Sequence, residues 1–244
     1  MSILITGGSS GIGRAIAEYF GSIGAEVFIN YHFDDQAAND CVSSIESFGG
    51  HAYAFKADVS TIGGAQALAD WLGERTDRLD QVVHCAVRVA TGPLLEVDPT
   101  LLHECIEVNP LGLINVVRSL LPYLGEGSTV FYISSEGALS VIPNYGPLGI
   151  SKALGEHIVR YLARELAQYG VRILTVAPGA IDTAAFRTVF SDRSEQYLND
   201  AASRNLARRP LLGSDVAKAV ALLSGPDFEM TIGDRIRIDG GTRL

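Results

Sequence analysis

Tyr145 and Lys152 are the two residues of this 244-residue chain whose types and spacing point most directly to chemistry. A phenol can donate a proton to an oxygen on which negative charge develops, and a lysine ammonium group can stabilise the anion that forms. The position four before the lysine is Leu148, which can do neither. Tyr145 is therefore the candidate proton donor, and the alternative is an aromatic ring that only packs beside the start of a helix.

Local sequence predicts which part of the secondary structure carries each of these side chains. Pro147 is typical of the first turn of a helix, and it disfavours helical geometry at the residue before it. Tyr145 is then expected at the helix entrance, where helical periodicity does not set its direction. Ser135 follows an apolar run, and it is either a second donor to a developing oxyanion or a structural serine at a strand end.

A glycine-rich segment, Thr6–Gly13, joins the first apolar run of the chain to the first helical pattern. Glycines let a backbone turn sharply and let a pyrophosphate approach the helix N-terminus, where free N–H groups favour an anion. An ordinary strand-to-helix turn is the alternative. The position after the first strand of an alternating α/β chain favours dinucleotide binding.

Apolar runs alternate with helical periodicity along the whole chain. The predicted strands are Ile3–Thr6, Val27–Asn30, His51–Ala57, Gln81–Ala86, Ser128–Ser134, Arg172–Ala177 and Arg235–Asp239. Helices are predicted at about residues 11–23, 35–48, 61–75, 100–123, 147–168 and 214–224. Most runs are short and unbroken, which is typical of parallel strands covered on both faces. We expect one domain over residues 1–244, a Rossmann-type α/β fold with a doubly wound parallel sheet of about seven strands and helices on both faces.

One long connection, residues 182–212, interrupts this rhythm before the last strand. It carries Phe186, Phe190 and Tyr197 among mixed charges. Long excursions from an α/β core are more often functional than passive, so this segment is predicted to be a substrate lid.

Composition narrows the classes of partner. The formal net charge of -9 argues against nucleic acid or an anionic membrane. Three scattered cysteines (Cys41, Cys85 and Cys105) lack metal-ligand spacing and indicate a reduced, cytoplasmic protein without a metal site. The apolar run directly after Met1 leaves no room for a signal peptide, and no run is long enough for a membrane span.

The motifs taken together resemble those of the short-chain dehydrogenase/reductase family over nearly the whole chain. Thr6–Gly13 resembles the nucleotide loop of this family, and later matches fall on its adenine-contacting, helix-kinking and ribose-binding positions, at Asp58-Val59, Asn109 and Lys152. The resemblance implies a nicotinamide dinucleotide held by Gly7, Ser9, Ser10, Gly11, Ile12, Gly13, Tyr31, His32, Asp58, Val59, Cys85, Ala86, Lys152, Pro178, Gly179 and Ile181.

Two departures from the family pattern concern the cofactor side. An acid at the end of the second strand would repel a 2′-phosphate, and Asn30-Tyr31-His32 contains none. NADPH is therefore expected to be preferred, with NAD possible because Ser10 replaces a frequent arginine. His84 stands where the family usually has asparagine, and we expect it to replace that residue in stabilising the sheet rather than to act as a catalyst.

The chemical side departs further. Ketone-reducing members carry their tyrosine at the Leu148 position, whereas Tyr145-x6-Lys152 resembles the enoyl-acyl-carrier-protein reductases. In conjugate reduction, hydride enters at the β-carbon, so the oxygen that becomes an enolate lies further from the nicotinamide. At roughly 1.5 Å of rise per residue, three helical positions move the phenol about 4–5 Å, which is the right sense and scale.

The resemblance implies Tyr145, Lys152, Ser135 and Asn109 as catalytic residues. Asn109 precedes Pro110, which predicts a kinked helix with a free carbonyl group, and a proton relay through it is a family analogy. The expected substrate is an enoyl thioester, possibly on acyl carrier protein, in fatty-acid or polyketide-type metabolism. An atypical ketone or alcohol oxidoreductase and a non-catalytic NADP-binding protein are the alternatives.

Two helical segments, 100–123 and 147–168, are apolar around much of their circumference. Such helices are either deeply buried or face another subunit. The family pairs these two helices across a dimer, so a homodimer or homotetramer is expected. Arg204 and Arg208 either attract an acidic carrier protein to the lid or form a solvated basic face.

Overall fold

Seven strands form one parallel sheet in the computed structural model, which describes residues 1–244. The strands are β1 (Ser2–Thr6), β2 (Glu26–Tyr31), β3 (His51–Lys56), β4 (Gln81–His84), β5 (Thr129–Ile133), β6 (Arg172–Pro178) and β7 (Arg235–Ile238). Their order across the sheet is β3-β2-β1-β4-β5-β6-β7. The predicted doubly wound parallel sheet is confirmed, and most predicted strand ends are wrong by one or two residues.

Nine α-helices connect or follow these strands. They are α1 (Gly11–Ser22), α2 (Asp35–Ser47), α3 (Ile62–Gly73), α4 (Pro99–Ile106), α5 (Gly112–Leu120), α6 (Gly146–Leu166), α7 (Ala184–Phe190), α8 (Ser194–Arg204) and α9 (Gly213–Leu223). None of them combines the length and apolar character that crossing a membrane requires.

Two hydrophobic clusters cover the two faces of the sheet. Consecutive strand residues enter different clusters: Leu4 packs with α3, α5 and α6, whereas Ile3 and Ile5 pack with α1, α2 and α9. This alternation follows from the period of two in a strand. Because both faces are covered, both sets are apolar, which explains the unbroken runs in the sequence.

The predicted continuous helix over residues 100–123 is wrong. A π-helical turn, Glu107–Leu111, separates α4 from α5 and contains Pro110. Proline has no N–H to donate within a helix, and its ring displaces the preceding turn. The kink predicted at this proline is therefore confirmed, but it divides the segment into two α-helices.

Residues 182–212, for which no helix was predicted, contain α7 and α8. Thr183 begins α7 by accepting a hydrogen bond from the backbone N–H of Phe186 at 3.1 Å. A Thr N-cap of this kind is a recognisable start signal. The helices are only 7 and 11 residues long, so their periodicity is weak in the sequence.

The sheet order reverses between β1 and β4. Loops that leave two such neighbouring strands diverge to opposite faces, and a crevice opens at the carboxyl ends of the strands. This topology brings together the segments that follow β1, β4, β5 and β6, although they are widely separated in the chain.

Candidate active site

A cavity of about 530 Å³ lies at the carboxyl ends of the central strands. Strand ends and the nucleotide loop line its inner part, and α6 with the 182–212 segment lines its outer part. The lining includes Gly7, Ser10, Gly11, Ile12, Cys85, Ser135, Glu136, Tyr145, Leu148, Lys152, Pro178, Gly179, Ile181, Phe186, Phe190, Tyr197, Arg204 and Arg243.

The inner part of the cavity fits a dinucleotide. Gly7 has a φ of +64°, and a Cβ atom there would lie 2.8 Å from the backbone of Ala86. A side chain at Gly13 would lie 2.3 Å from the Gly7 carbonyl oxygen. Helix α1 begins after Ser10 with no side-chain cap and no acid in its first turn. Its N–H groups are therefore available to an anion such as a pyrophosphate.

The predicted cofactor residues fall into two groups. Gly7, Ser10, Gly11, Ile12, Cys85, Lys152, Pro178, Gly179 and Ile181 line the cavity, whereas Ser9, Gly13, Tyr31, His32, Asp58, Val59 and Ala86 do not. In the second group, His32 and Asp58 lie beyond the ends of β2 and β3, with the His32 Nε2 atom 3.9 Å from the Asp58 carboxylate. The adenosine contacts predicted there stay predictions.

Tyr145 lies at the helix entrance, as Pro147 predicted. It is the residue before α6, and Pro147 occupies the first turn of that helix. The phenol hydroxyl is 2.8 Å from the Oγ atom of Ser135, which follows β5. Gly137 makes this approach possible, because a Cβ atom there would lie 2.3 Å from the Tyr145 ring.

Ser135 is arranged to donate a hydrogen bond into the cavity. Its Oγ atom accepts from the Tyr145 hydroxyl at 2.8 Å and from the Gly137 N–H at 3.1 Å. A serine hydroxyl offers two acceptor lone pairs and one hydrogen. With both acceptor sites used inside the protein, the Ser135 hydrogen is left for an oxygen atom in the cavity.

Tyr145 is a neutral donor rather than a phenolate. Burial raises its pKa above the ordinary value for tyrosine, and the hydrogen bond with Ser135 opposes this only in part. Desolvation disfavours the charged form, so the proton stays on the phenol at neutral pH.

Lys152, expected to stabilise the anion that forms, makes no hydrogen bond to the Tyr145 phenol. Its Nζ atom donates to the carbonyl oxygen of Ile133 at 2.7 Å and lies 5.0 Å from the centre of the Tyr132 ring. Burial lowers the pKa of Lys152 to about 8. The side chain extends from a buried position on α6 to the end of β5, where the Ile133 carbonyl oxygen accepts its hydrogen bond.

Leu148 lines the cavity, at the position where the resemblance places the tyrosine of ketone-reducing members. Residues four apart lie on the same helix face, so Leu148 and Lys152 both line the cavity from α6. Leu148 is buried and has no group that could donate a proton.

His84 is a structural residue. It is fully buried, with its Nδ1 atom 3.0 Å from Thr6 Oγ1 and its Nε2 atom 3.0 Å from the Asn109 carbonyl oxygen. Thr6 Oγ1 already accepts from the N–H groups of Cys85 and Ala86, so it donates to Nδ1, and Nε2 carries the hydrogen. Burial lowers the pKa of His84 to about 4, which keeps the ring neutral.

The Asn109 carbonyl group is not free, which corrects the expectation drawn from Pro110. It accepts the hydrogen bond from His84. Both amide hydrogens of Asn109 are also used, one by the Arg88 carbonyl oxygen and one by Ser151 Oγ at 2.8 Å, and Asn109 Oδ1 accepts from the Arg88 N–H. Asn109 is buried and does not line the cavity, so no direct contact with a bound substrate supports its predicted catalytic role.

The 182–212 segment supplies an aromatic wall. Phe190 lies at its centre, with ring centroids 4.5 Å from Phe186 and 4.4 Å from Tyr197. The Phe190 ring also stacks on Tyr145, with centroids 6.4 Å apart and an interplanar angle of 19°. The segment therefore covers the phenol with apolar surface, as a lid over an apolar substrate would.

Sequence reasoning missed the charged residues behind Ser135. Arg235 on β7 contacts Glu136 and Glu156, and Arg243 lies 3.7 Å from Glu136. The available signal was an arginine at the start of a predicted strand, which alone does not identify its partners.

Comparisons with known proteins agree with this architecture. Residues 7–243 match a family model described as enoyl-(acyl carrier protein) reductase. The chain is 31% identical over 241 residues to the 1-cyclohexenylcarbonyl-CoA reductase of Streptomyces collinus, covering 99% of this chain and 86% of the relative. It is 28% identical over 240 residues to the 7α-hydroxysteroid dehydrogenase of Escherichia coli K12, covering 98% and 92%.

A solved structure shows the same fold with a nucleotide. The short-chain dehydrogenase of Burkholderia cenocepacia in complex with NADP superposes with a TM-score of 0.87 at 28% identity, covering 99% of this chain and 97% of that one.

Proposed function

This chain belongs to the short-chain dehydrogenase/reductase family, and we propose that it reduces the carbon–carbon double bond of an enoyl thioester with NADPH. Membership of the family makes it an oxidoreductase. The substrate bond and the choice of cofactor are the proposal.

The observation that carries the proposal is the position of the reactive phenol. Tyr145 lies at the entrance of α6, and its hydroxyl is 2.8 Å from Ser135 Oγ. The position one turn before Lys152 holds Leu148 instead of a tyrosine. A ketone reductase of this family places its phenol at the Leu148 position, close to the carbon that receives hydride. The displaced phenol suits an oxygen that lies further from that carbon, as in an enoyl thioester.

Within this proposal, the chain stabilises charge on the thioester oxygen. NADPH, when bound, would supply the hydride to the β-carbon, and a water molecule would supply the proton to the α-carbon of the resulting enolate. Ser135 donates its free hydrogen to the oxygen, and Tyr145 strengthens that donor through its own hydrogen bond. A preorganised oxyanion donor of this kind is typically worth roughly 10²–10³ in rate. The raised pKa of Tyr145 suits this role because a neutral phenol can donate.

Lys152 is proposed to hold the nicotinamide ribose. Its ammonium group has three hydrogens, one of which is used by the Ile133 carbonyl oxygen. Two hydrogens remain for ribose hydroxyls. Because its pKa is about 8, the group is mostly protonated at neutral pH.

The preference for NADPH rests on the acids near the end of β2. Asp34 caps α2 by accepting from the N–H of Ala37, and Asp35 forms an ion pair with Lys56 at 3.0 Å. Neither acid is the residue that directly follows the strand, so the ribose position lacks the usual repulsion of a 2′-phosphate. The relative from Burkholderia cenocepacia was solved with NADP, which agrees with this choice.

The aromatic wall supports an apolar acyl group. Phe186, Phe190 and Tyr197 face the same cavity as Ser135 and contribute apolar surface that the nucleotide part lacks. The relative from Streptomyces collinus is named for an unsaturated cyclic CoA thioester, which is the same substrate class.

Reduction of a ketone, or oxidation of an alcohol, is the second candidate. Ser135, with Tyr145 hydrogen-bonded to its Oγ atom, also suits a ketone oxygen as a hydrogen-bond donor. The relative from Escherichia coli is named for a hydroxysteroid, so this activity exists among similar proteins.

Product analysis distinguishes the two candidates. The protein is incubated with NADPH or NADH and with matched pairs of enoyl and 3-ketoacyl thioesters, and the products are identified by mass spectrometry and NMR. We expect saturable reduction of the enoyl members, faster with NADPH. Consumption of only the ketoacyl members would establish the second candidate instead.

A further inference from the structure

Arg235 connects three separate parts of the fold behind the candidate active site. Its Nε atom lies 2.9 Å from Glu156 Oε1 on α6. Its Nη2 atom donates to the Ser135 carbonyl oxygen at 3.3 Å and approaches Glu136 Oε2 at 3.4 Å. One guanidinium group on β7 therefore contacts a helix and the segment that carries the oxyanion donor.

The three charged side chains of this group are largely buried. The exposed fractions are 18% for Arg235, 16% for Glu136 and 8% for Glu156. Desolvating such charges costs much of what their attraction returns, so stability alone does not explain the group. The planar guanidinium group of an arginine binds several acceptors at once and fixes their positions relative to one another.

The segment held by this group is Ser134–Glu136. Glu156 Oε1 accepts from Ser134 Oγ at 2.5 Å, and Arg235 holds the next two residues through a carbonyl oxygen and a carboxylate. All three consecutive residues are thereby held by Glu156 and Arg235. The Ser135 carbonyl group is used in this contact, and its Oγ atom is bound by Tyr145.

We propose that Arg235 is a positioning residue: it holds the Ser134–Glu136 segment so that the Ser135 hydroxyl, supported by its hydrogen bond from Tyr145, is presented to one substrate oxygen. Arg235 does not line the cavity, so it acts through Ser135 rather than on the substrate. The inference rests on the proposed function for its substrate, but it does not depend on which oxygen is polarised.

The test compares Arg235→Lys with the wild type in single-turnover and steady-state assays. Lysine keeps the positive charge, but its single ammonium group cannot bind Glu156 and the Ser135 carbonyl oxygen at the same time. We expect kcat to fall about 10- to 100-fold, which is the scale of a small misplacement of catalytic groups. The Kd for NADPH should stay within about twofold, because no nucleotide contact is lost.

Arg172→Lys is the matched control. Arg172 is also buried and also binds backbone carbonyl groups, those of Leu223, Ser224, Gly225 and Phe228. Neither Arg172 nor these four residues line the cavity or contact the Ser134–Glu136 segment. This variant should lose thermal stability with kcat within about twofold of the wild type. If Arg235→Lys behaves in the same way, its role is structural only and the inference is wrong.

A double-mutant cycle with Ser135→Ala examines the route of the effect. If Arg235 acts through Ser135, Arg235→Lys should lower the single-turnover rate by less than about twofold once the hydroxyl is absent. An equal factor in both backgrounds would overturn the inference. Should Arg235→Lys fold poorly, Arg235→Met combined with Glu156→Gln enters the same cycle. This variant removes the arginine without leaving Glu156 as an unpaired buried charge, and Glu136 keeps Arg243 at 3.7 Å.

The outcome for the wild type separates this inference from the proposed function. Wild-type protein that reduces only ketoacyl thioesters contradicts the proposed function. The same variants are then compared on the ketoacyl substrate, where the loss in kcat and its dependence on Ser135 decide the role of Arg235.

Discussion

The Tyr145 hydroxyl lies 2.8 Å from the Oγ atom of Ser135, although the two residues belong to different elements. Ser135 follows β5, and Tyr145 precedes α6. The phenol therefore does not depend on the periodicity of the helix for its direction. It is aimed by the contact between a strand end and a helix entrance, and Gly137 provides the space for the ring.

Replacing the phenol should separate chemistry from cofactor binding. Tyr145→Phe keeps the ring against Phe190 but removes the hydroxyl, so enoyl turnover should fall roughly 10²–10⁴-fold. The Kd for NADPH, measured by fluorescence titration, should change little. Tyr169→Phe, at an exposed position outside the cavity, is the control. Wild-type turnover in folded, cofactor-loaded Tyr145→Phe would remove the phenol from the mechanism.

Returning a tyrosine to the usual family position should not restore enoyl reduction. Leu148→Tyr combined with Tyr145→Phe moves the phenol from position 145 to position 148, one turn before Lys152. The two positions are about 4–5 Å apart along the helix axis. We expect enoyl turnover to stay as low as in Tyr145→Phe, with a gain in ketone reduction. Recovery of enoyl turnover would show that the position of the phenol does not select the substrate bond.

Gly137 should be required for activity more than for stability. An added methyl group would lie 2.3 Å from the Tyr145 ring, so Gly137→Ala displaces the phenol from Ser135. We expect kcat to fall at least about tenfold. Gly63→Ala is the control, because nothing lies within 4 Å of that position in α3. It should leave kcat unchanged and raise stability by up to about 1 kcal/mol.

His84 should make the protein sensitive to acid. Burial, with a smaller contribution from the charge of Lys152, lowers the pKa of His84 from 6.5 to about 4. Between these values the unfolded chain binds more protons than the folded one, so stability falls as the pH falls from 6.5 to 4. His84 contributes at most about 2–3 kcal/mol to this loss in the free energy of unfolding.

His84→Asn tests this assignment with the residue usual in the family. Urea unfolding at several pH values should show a smaller loss of stability between pH 6.5 and 4 in the variant, with the fold retained. An unchanged pH dependence would mean that other groups cause the acid sensitivity.

The helices α5 and α6 should form a subunit interface. Leu111, Ile150 and Leu154 are 39%, 43% and 38% exposed on or beside these helices. Leu154→Asp places a charge within this apolar surface and should shift the protein to the monomer, as measured by light scattering after size exclusion. Ile62→Asp, at an exposed apolar residue of α3, should leave the assembly unchanged. A monomeric wild type would contradict the interface.

Local sequence was sufficient for most of the fold and for the outline of the site. The short apolar runs predicted seven parallel strands because both faces of the sheet are covered. Thr6–Gly13 predicted the glycine-rich turn from β1 into α1, and Pro147 placed Tyr145 at a helix entrance. Each of these follows from the backbone preferences of neighbouring residues, which a sequence displays directly.

The direction of the functional side chains was decided only by the tertiary structure. Lys152 points to the Ile133 carbonyl oxygen, and Arg235 reaches across 100 positions to Ser135. Asn109 gives its carbonyl group to His84 rather than leaving it free. These contacts join residues that are distant in the chain. They depend on how buried polar groups find partners when separate elements pack together, and that outcome has no local signature in the sequence.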